Sequence, residues 1–99
     1  MAFEMLVGLQ VSNDEIYTQY RKAMTPILTQ YQGSFTSDFK VSEALLTPDN
    51  AKINRVFTIC FKDKTHMEAF FADADYLAVK HAYFEQSVAQ TCIISSYEK

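Results

Sequence analysis

The sequence predicts an α+β fold of the ferredoxin-like type: a βαββαβ sandwich with an antiparallel sheet. Two observations support this prediction. Stretches that alternate apolar with polar residues, or are largely apolar, occur near both ends of the chain and twice in its middle, as in strands, and segments with helical spacing lie between them. The 99 residues suit one domain, residues 1–99, and two glycines and two prolines are too few for a disordered chain. The helices should then cover one face of the sheet.

The first strand is predicted over Phe3–Val11, because apolar side chains occupy every second position there. Ser12 and Glu15 have the spacing of a capping box, so the first helix should begin at this point. Pro26 lacks a backbone N–H, which predicts a kink or a break just before it. Gly33 suits the left-handed residue that ends many helices.

Two strands are predicted in the middle of the chain. The second alternates over Phe35–Val41 and could extend to Leu46, after which residues 47–50, Thr-Pro-Asp-Asn, form a turn signal. The third strand spans Arg55–Phe61 and is largely apolar on both faces, which is typical of a central strand covered on two sides.

The second half of the chain predicts two helical segments and a last strand. Asp63 and Asp73 are each placed to cap a helix, and the final strand runs from Cys92 to Tyr97. In the first of these helices, the side chains of Met67, Phe70 and Phe71 should face the core. In this topology the first strand separates Cys60 from Cys92, so no disulfide is expected between them.

Composition excludes several function classes. The net charge is -3 and no basic run occurs, so a nucleic-acid partner is not expected. No apolar stretch approaches the about 20 residues that cross a bilayer, and no basic segment opens the chain as in a signal peptide, so a cytoplasmic location without membrane contact is expected. No metal and no cofactor is expected, because ligand spacings and glycine-rich phosphate loops are missing.

A homodimer is predicted from the third strand. One of its faces carries Val56 and Cys60, and the other carries Phe57, Ile59 and Phe61. The helices of one chain cover only one face, so an apolar row of several hundred Å² would remain open on a monomer. Two sheets that meet across a two-fold axis would cover it.

Several motifs together resemble the domain of unknown function 1330 family. They cover nearly the whole chain: Tyr17–Tyr20, Pro26–Leu28, Tyr31–Phe35, Arg55–Phe61, Asp63, Met67–Phe71 and Asp73–Tyr76. The resemblance implies the dimeric α+β barrel superfamily, whose members include cofactor-free monooxygenases, lactone isomerases, haem-degrading enzymes and small ligand binders. Asp-Ala-Asp at residues 73–75 replaces the family's usual Ser-Pro-Glu, and Phe70-Phe71 replaces Trp-Tyr. Near His81 the family more often has arginine.

Four residues are candidates for ligand binding. The guanidinium of Arg55 could hold a carboxylate or an enolate beside apolar walls, or could instead pair with an acid such as Glu4 or Asp38. The phenols of Tyr20 and Tyr76 could line the mouth of a pocket, although aromatic residues at helical spacing are more often part of a core. His81 offers an imidazole to a ligand, but no nucleophile stands at a recognisable spacing from it.

Three functions fit these observations. The first is a binding module that holds a small, largely apolar and possibly acidic molecule in a cavity of the dimer. The second is a cofactor-free enzyme of the monooxygenase or isomerase type, whose substrate supplies its own reactivity. The third is a structural or assembly protein. The fold is compatible with all three and does not select among them.

Overall fold

Residues 1–99 of the computed structural model form two layers, a four-stranded antiparallel sheet and a layer of helices. The strands are β1 (Phe3–Val11), β2 (Gly33–Lys40), β3 (Arg55–Phe61) and β4 (Val88–Glu98), in the order β2-β3-β1-β4. The helices are α1 (Asp14–Gln30), α2 (Lys64–Ala72), α3 (Ala74–Val79) and the short α4 (Glu85–Ser87), with a π-helical turn at Lys80–Phe84. The order βαββαβ confirms the predicted ferredoxin-like fold. No helix is both long and apolar enough to span a bilayer.

The odd-numbered residues of β1 and β3 face the helices. Val7 stands opposite Phe57 and Met5 opposite Ile59 across the two strands. Phe57 and Ile59 are buried in the core beneath the helices. The helices therefore leave the even-numbered row, which includes Val56, uncovered. An aspartate in place of Phe57 or Ile59 would disrupt the core rather than a surface that faces a partner.

Two predictions about α1, the cap at Ser12 and a break near Pro26, are wrong. Asn13, and not Ser12, is the N-cap: its side-chain oxygen accepts a hydrogen bond from the Ile16 N–H at 3.0 Å. Ser12 instead bonds to the carbonyl of Ser87, through its own N–H at 2.8 Å. Pro26 neither breaks nor ends α1, which continues to Gln30. Pro26 lies on the exposed side of the helix, where solvent can satisfy the carbonyl that its missing N–H leaves free.

Gly33 begins β2, and its backbone is not left-handed, contrary to the prediction. Gln32 takes the left-handed conformation, with φ of 55°. A Cβ atom at Gly33 would lie 2.4 Å from Leu28 Cδ1 and 2.9 Å from Phe61 Cε1. Close packing of α1 against β3 therefore explains the glycine at this position.

The connection between β2 and β3 is a long loop. Since β2 ends at Lys40, the predicted extension to Leu46 is wrong, while a 3₁₀ turn at Pro48–Asn50 agrees with the turn signal. The Asn54 side chain bonds to both the N–H and the C=O of Val11, at 2.8 and 2.9 Å. The loop thereby returns over the sheet, where Ile53 packs beside Gly8 on the face away from the helices.

Strand β4 is longer than predicted and begins at Val88. It pairs with β1 along most of its length, with register shifts between Leu6 and Val7 and between Gln10 and Val11. The first shift lets Ile93 stand opposite Val7, on the helix side, while Ile94 approaches Gly8 on the other side. Cys60 and Cys92 lie on β3 and β4, with β1 between these strands, and both are free.

A buried carboxylate lies on the sheet face away from the helices. Glu4 Oε1 accepts hydrogen bonds from Thr36 Oγ1 at 2.7 Å and from Lys99 Nζ at 3.2 Å, and Oε2 accepts one from the Tyr97 hydroxyl. These donors, Tyr97 foremost, hold the pKa of Glu4 below its ordinary value of 4.5. Glu4 therefore ties β1 to β2 and to the end of β4.

Glu4 should make part of the stability depend on pH. Because its pKa is lowered by folding, its contribution is present above pH 4.5 and is lost as the pH falls through the folded value. Glu4→Gln should therefore unfold at lower urea than wild type at pH 7, and the two midpoints should converge as the pH falls below 4.5 and through the folded value. The matched control is Glu43→Gln at an exposed loop position. A constant gap between Glu4→Gln and wild type across this range would contradict the assignment.

Candidate functional site

A cavity of about 250 Å³ lies between the helices and the sheet. Thirteen of its fifteen lining residues are hydrophobic. β1 and β3 form its floor, and α1, α3 and the π turn form its roof; the lining includes Met5, Val7, Leu9, Tyr17, Tyr20, Met24, Phe57, Ile59, Tyr76 and Phe84. Thr91 and Ile93 of β4 are the most exposed lining residues, and Ile93 keeps 52% of its surface open. The cavity therefore opens beside β4.

Two of the predicted site residues meet in this cavity. Tyr20 of α1 and Tyr76 of α3 are both buried, and their hydroxyl oxygens lie 2.9 Å apart. Burial raises the pKa of both phenols, so both stay protonated near neutral pH. The pair holds two hydroxyl hydrogens, of which their mutual hydrogen bond uses one. The structure gives the other hydrogen no acceptor within the protein.

Asp73 positions Tyr76 in the roof of the cavity. As the N-cap of α3, its Oδ1 accepts a hydrogen bond from the Tyr76 N–H at 2.9 Å. Its Oδ2 accepts one from the Tyr31 hydroxyl at 2.6 Å, which joins α3 to the end of α1. The Tyr31 bond is the main cause that lowers the pKa of Asp73. The N-cap predicted at Asp73 is thus confirmed, and it fixes the position of Tyr76 at the cavity.

Arg55 lies outside the lining of the cavity, on the same sheet face as Phe57. Its Nε and Nη2 bind the two carboxylate oxygens of Asp38, each at 2.8 Å. Arg21 binds the same carboxylate at 3.3 Å through both Nη atoms, and its Nε donates to the Tyr17 hydroxyl at 2.8 Å. Arg55 is the main cause that lowers the pKa of Asp38. Of the partners expected for Arg55, the structure selects Asp38 and not Glu4.

His81 is also separate from the cavity. It follows Lys80 in the π turn, its side chain is 85% exposed, and its Nδ1 lies 2.9 Å from Glu85 Oε1. Lys80, which the sequence analysis did not single out, lines the cavity instead. Lys80 lies four residues after Tyr76 on the same face of the helix, and His81, one residue further, faces away from it.

A second recess and a metal site are the alternatives to this cavity, and neither is well supported. A recess of about 460 Å³ lies under the loop between β2 and β3, but a single loop, residues 42–54, provides its whole lining, and five of its eleven residues are hydrophobic. No cluster of three or more His, Cys, Asp or Glu side chains is arranged to hold a metal ion. The apolar walls and the uncommitted phenol hydrogen make the cavity between helices and sheet the better candidate.

Several solved structures have a similar fold. A protein of unknown function from Rhodopseudomonas palustris superposes with a TM-score of 0.81 and 14% identity, over 99% of this chain and 82% of that one. A DABB family protein with a ferredoxin-like fold from Mesorhizobium loti gives a TM-score of 0.68 and 13% identity, over 99% and 96%. A dimeric ferredoxin-like protein of unknown function from Jannaschia sp. CCS1 gives 0.60 and 12%, over 100% of both chains. At these identities the likeness establishes the fold alone.

No curated protein matches the chain significantly. The sequence profile of one family, described as a domain of unknown function (DUF1330), matches residues 5–97. This range includes all four strands except the first two residues of β1 and the last residue of β4. The resemblance seen in the separate motifs thus extends over the whole fold, and the chain belongs to the DUF1330 family.

Proposed function

We propose that the protein is a binding module that holds a small, largely apolar molecule in the cavity between its helices and its sheet. The observation that carries this proposal is the apolar cavity with one phenol hydrogen left without an acceptor. An engineered apolar cavity of about 150 Å³ in another protein holds benzene. The larger volume of about 250 Å³ here would accept a substituted benzene ring or a molecule of similar size.

The tyrosine pair adds a polar preference to the apolar cavity. Whichever phenol accepts the mutual hydrogen bond keeps its own hydrogen, and Tyr20 and Tyr76 both line the cavity. A ligand oxygen that accepts this hydrogen would satisfy the donor in a dry environment, where an unmade hydrogen bond is costly. The preferred ligand therefore carries a carbonyl or another acceptor oxygen on an apolar body.

Acetophenone and cumene test this preference, because they have nearly the same shape and differ in one acceptor oxygen. Both should shift the methyl resonances of Met24 and Ile93 in an NMR titration, and acetophenone should bind more tightly. The double variant Tyr20→Phe/Tyr76→Phe removes every donor of the pair but keeps both rings. It should bind cumene as wild type does and lose about twofold to tenfold in acetophenone affinity, the contribution of one neutral hydrogen bond.

Tyr83→Phe is the matched control, because Tyr83 packs against the core without lining the cavity. It should leave both affinities unchanged. Equal affinities of wild type and the double variant for acetophenone would remove the tyrosine pair from the site. Unchanged Met24 and Ile93 resonances with both compounds would exclude the cavity as a binding site and would favour a structural or assembly role.

A cofactor-free enzyme is the second candidate. The specific observation in its favour is again the uncommitted phenol hydrogen, since a donor in a water-poor cavity can stabilise an enolate or a phenolate as negative charge develops. Substrates that supply their own reactivity need few catalytic residues. Conversion of a bound carbonyl compound by the purified protein, at a rate that the double phenylalanine variant lowers, would favour this function over simple binding.

We further propose a homodimer that forms through the sheet face away from the helices. Phe39 stands opposite Val56 on this face and keeps 60% of its surface exposed, and Ile94 is also half exposed there. The loop between β2 and β3 covers only the part of the face near Gly8, through Ile53. The fold relative from Jannaschia is itself dimeric, which supports a dimer but not a particular interface.

Substitution on this face should break the homodimer. A charge that an apolar interface buries without a partner is strongly unfavourable. Phe39→Asp and Val56→Asp should therefore yield a monomer of 11.4 kDa in light scattering, whereas wild type has twice that mass. Leu77→Asp, a partly exposed position on α3, is the control and should stay dimeric. A monomeric wild type, or dimers for both face variants, would contradict the proposed interface.

A further inference from the structure

The cavity has one charged residue in its lining, Lys80. Lys80 is the first residue of the π turn and is half-buried. No carboxylate lies within ion-pair distance of its ammonium group, as is also true of the exposed Lys22, Lys52, Lys62 and Lys64. Lys80 differs from these four lysines because it is half-buried beside apolar walls.

Helical spacing accounts for the position of Lys80. Its N–H bonds to the carbonyl of Tyr76, four residues back, so Lys80 follows Tyr76 on the same face of the helix. The π turn that begins at Lys80 is wider, because the N–H of Glu85 bonds to the Lys80 carbonyl, five residues back. Lys80 and Phe84, at the two ends of this turn, both line the cavity. Turns of this kind occur often at functional sites.

We propose that Lys80 binds the acidic group of the ligand, which makes the ligand a small, largely apolar monocarboxylate. This inference rests on the proposed binding function of the cavity and names its ligand class. Apolar walls lower the local dielectric constant, so an ammonium–carboxylate contact is stronger there than on the open surface. One cation balances one negative charge, and the rest of the lining provides no second cation. A dicarboxylate or a phosphate would leave negative charge against apolar side chains.

Lys80, and not Arg55, is then the residue that binds an acidic group of the ligand. The guanidinium of Arg55 already binds both oxygens of Asp38, and Arg55 does not line the cavity. The Lys80 ammonium has no such partner. The polar groups in the lining are then the tyrosine pair, Lys80 and Thr91.

Benzoate and acetophenone test this inference, because they have the same shape and differ in charge. The Met24 and Ile93 methyl resonances again report the affinities. Lys80→Met, which keeps most of the side chain's volume, should lower benzoate affinity about tenfold, as expected for a charge-assisted hydrogen bond, and should change acetophenone affinity less than twofold. Lys22→Met removes the same charge from an exposed position on α1 and should change neither affinity.

Each other outcome has a definite meaning. If Lys80→Met leaves the ratio of benzoate to acetophenone affinity unchanged, Lys80 is not the anion-binding residue, while acetophenone binding would still support the cavity. If Arg55→Ala, checked for native folding by circular dichroism, lowers this ratio and Lys80→Met does not, the inference is overturned in favour of Arg55. If neither compound binds wild type, the proposed function and this inference both fail.

Discussion

Phe70→Ala should lower the free energy of unfolding by about 3–5 kcal/mol, as for other large aromatic residues truncated in a core. Phe70 is fully buried in α2, and its ring lies 4.4 Å from that of Tyr76 and 5.6 Å from that of Phe61, measured between centroids. It also contacts the rings of Tyr31 and Phe71. Rigid rings on several sides cannot close over the empty volume, so the cost should lie at the upper end of this range.

Chemical unfolding followed by circular dichroism measures this loss. A small domain has a total stability of about 5–15 kcal/mol, so Phe70→Ala could unfold at moderate temperature. Phe70→Leu should retain much of the stability, and Leu45→Ala, at a position 90% exposed, should change it by less than about 0.5 kcal/mol. A loss below about 1 kcal/mol for Phe70→Ala would show that the aromatic cluster is not tightly packed.

The second large effect is expected at Asp38. One carboxylate pairs with two guanidinium groups, whose side chains are only 16% and 17% exposed. Asp38→Ala would leave two cations close together without a counter-charge. Complete burial would predict a loss of about 3–5 kcal/mol, but the Asp38 side chain is 32% exposed, and solvent screening reduces the expected loss to about 1–3 kcal/mol.

A comparison with Arg55→Ala makes this prediction specific. Arg55→Ala leaves Asp38 paired with Arg21, so it should cost less than Asp38→Ala, and the double variant should cost less than the sum of the two. Urea unfolding at low and at high salt measures these terms. Glu68→Ala removes the same charge from an exposed position on α2 and is the control. Asp38→Ala with a smaller loss than Arg55→Ala would contradict the shared-carboxylate description.

The parts of the fold that depend on local spacing were predictable from the sequence. Asp63 and Asp73 each cap a helix as expected, because the bond from a cap to the N–H three residues later needs nothing beyond that segment. Ser12 and Asn13 are neighbours, and either side chain could cap the helix. The Ser12 hydroxyl instead donates to the distant Ser87 carbonyl, and the Asn13 side chain caps the helix. Gln32, and not Gly33, has the left-handed backbone. Gly33 lies where α1 approaches β3 too closely for a Cβ atom, which is again a contact between distant parts of the chain.

The candidate site was predictable only in part. Tyr20 and Tyr76 follow the helical periodicity that points them inward, and the structure brings them together. The partner of Arg55 depends on how β2 pairs with β3, which includes a register shift between Phe35 and Ser37 that no local pattern indicates. Lys80 shares the helix face of Tyr76, four residues before it, but a lysine on a helix is ordinarily solvated, so its spacing alone did not mark it as a lining residue.

The π turn also makes the entrance of the cavity sensitive to chain length. Removal of one residue between positions 80 and 84 would narrow this turn to an ordinary α-helical one. The spacing between Lys80 and Phe84 at the cavity would then change, while the helix on either side and the sheet stayed intact. Insertions and deletions of a single amino acid here offer a way for related proteins to exchange one ligand for another while they keep the same scaffold.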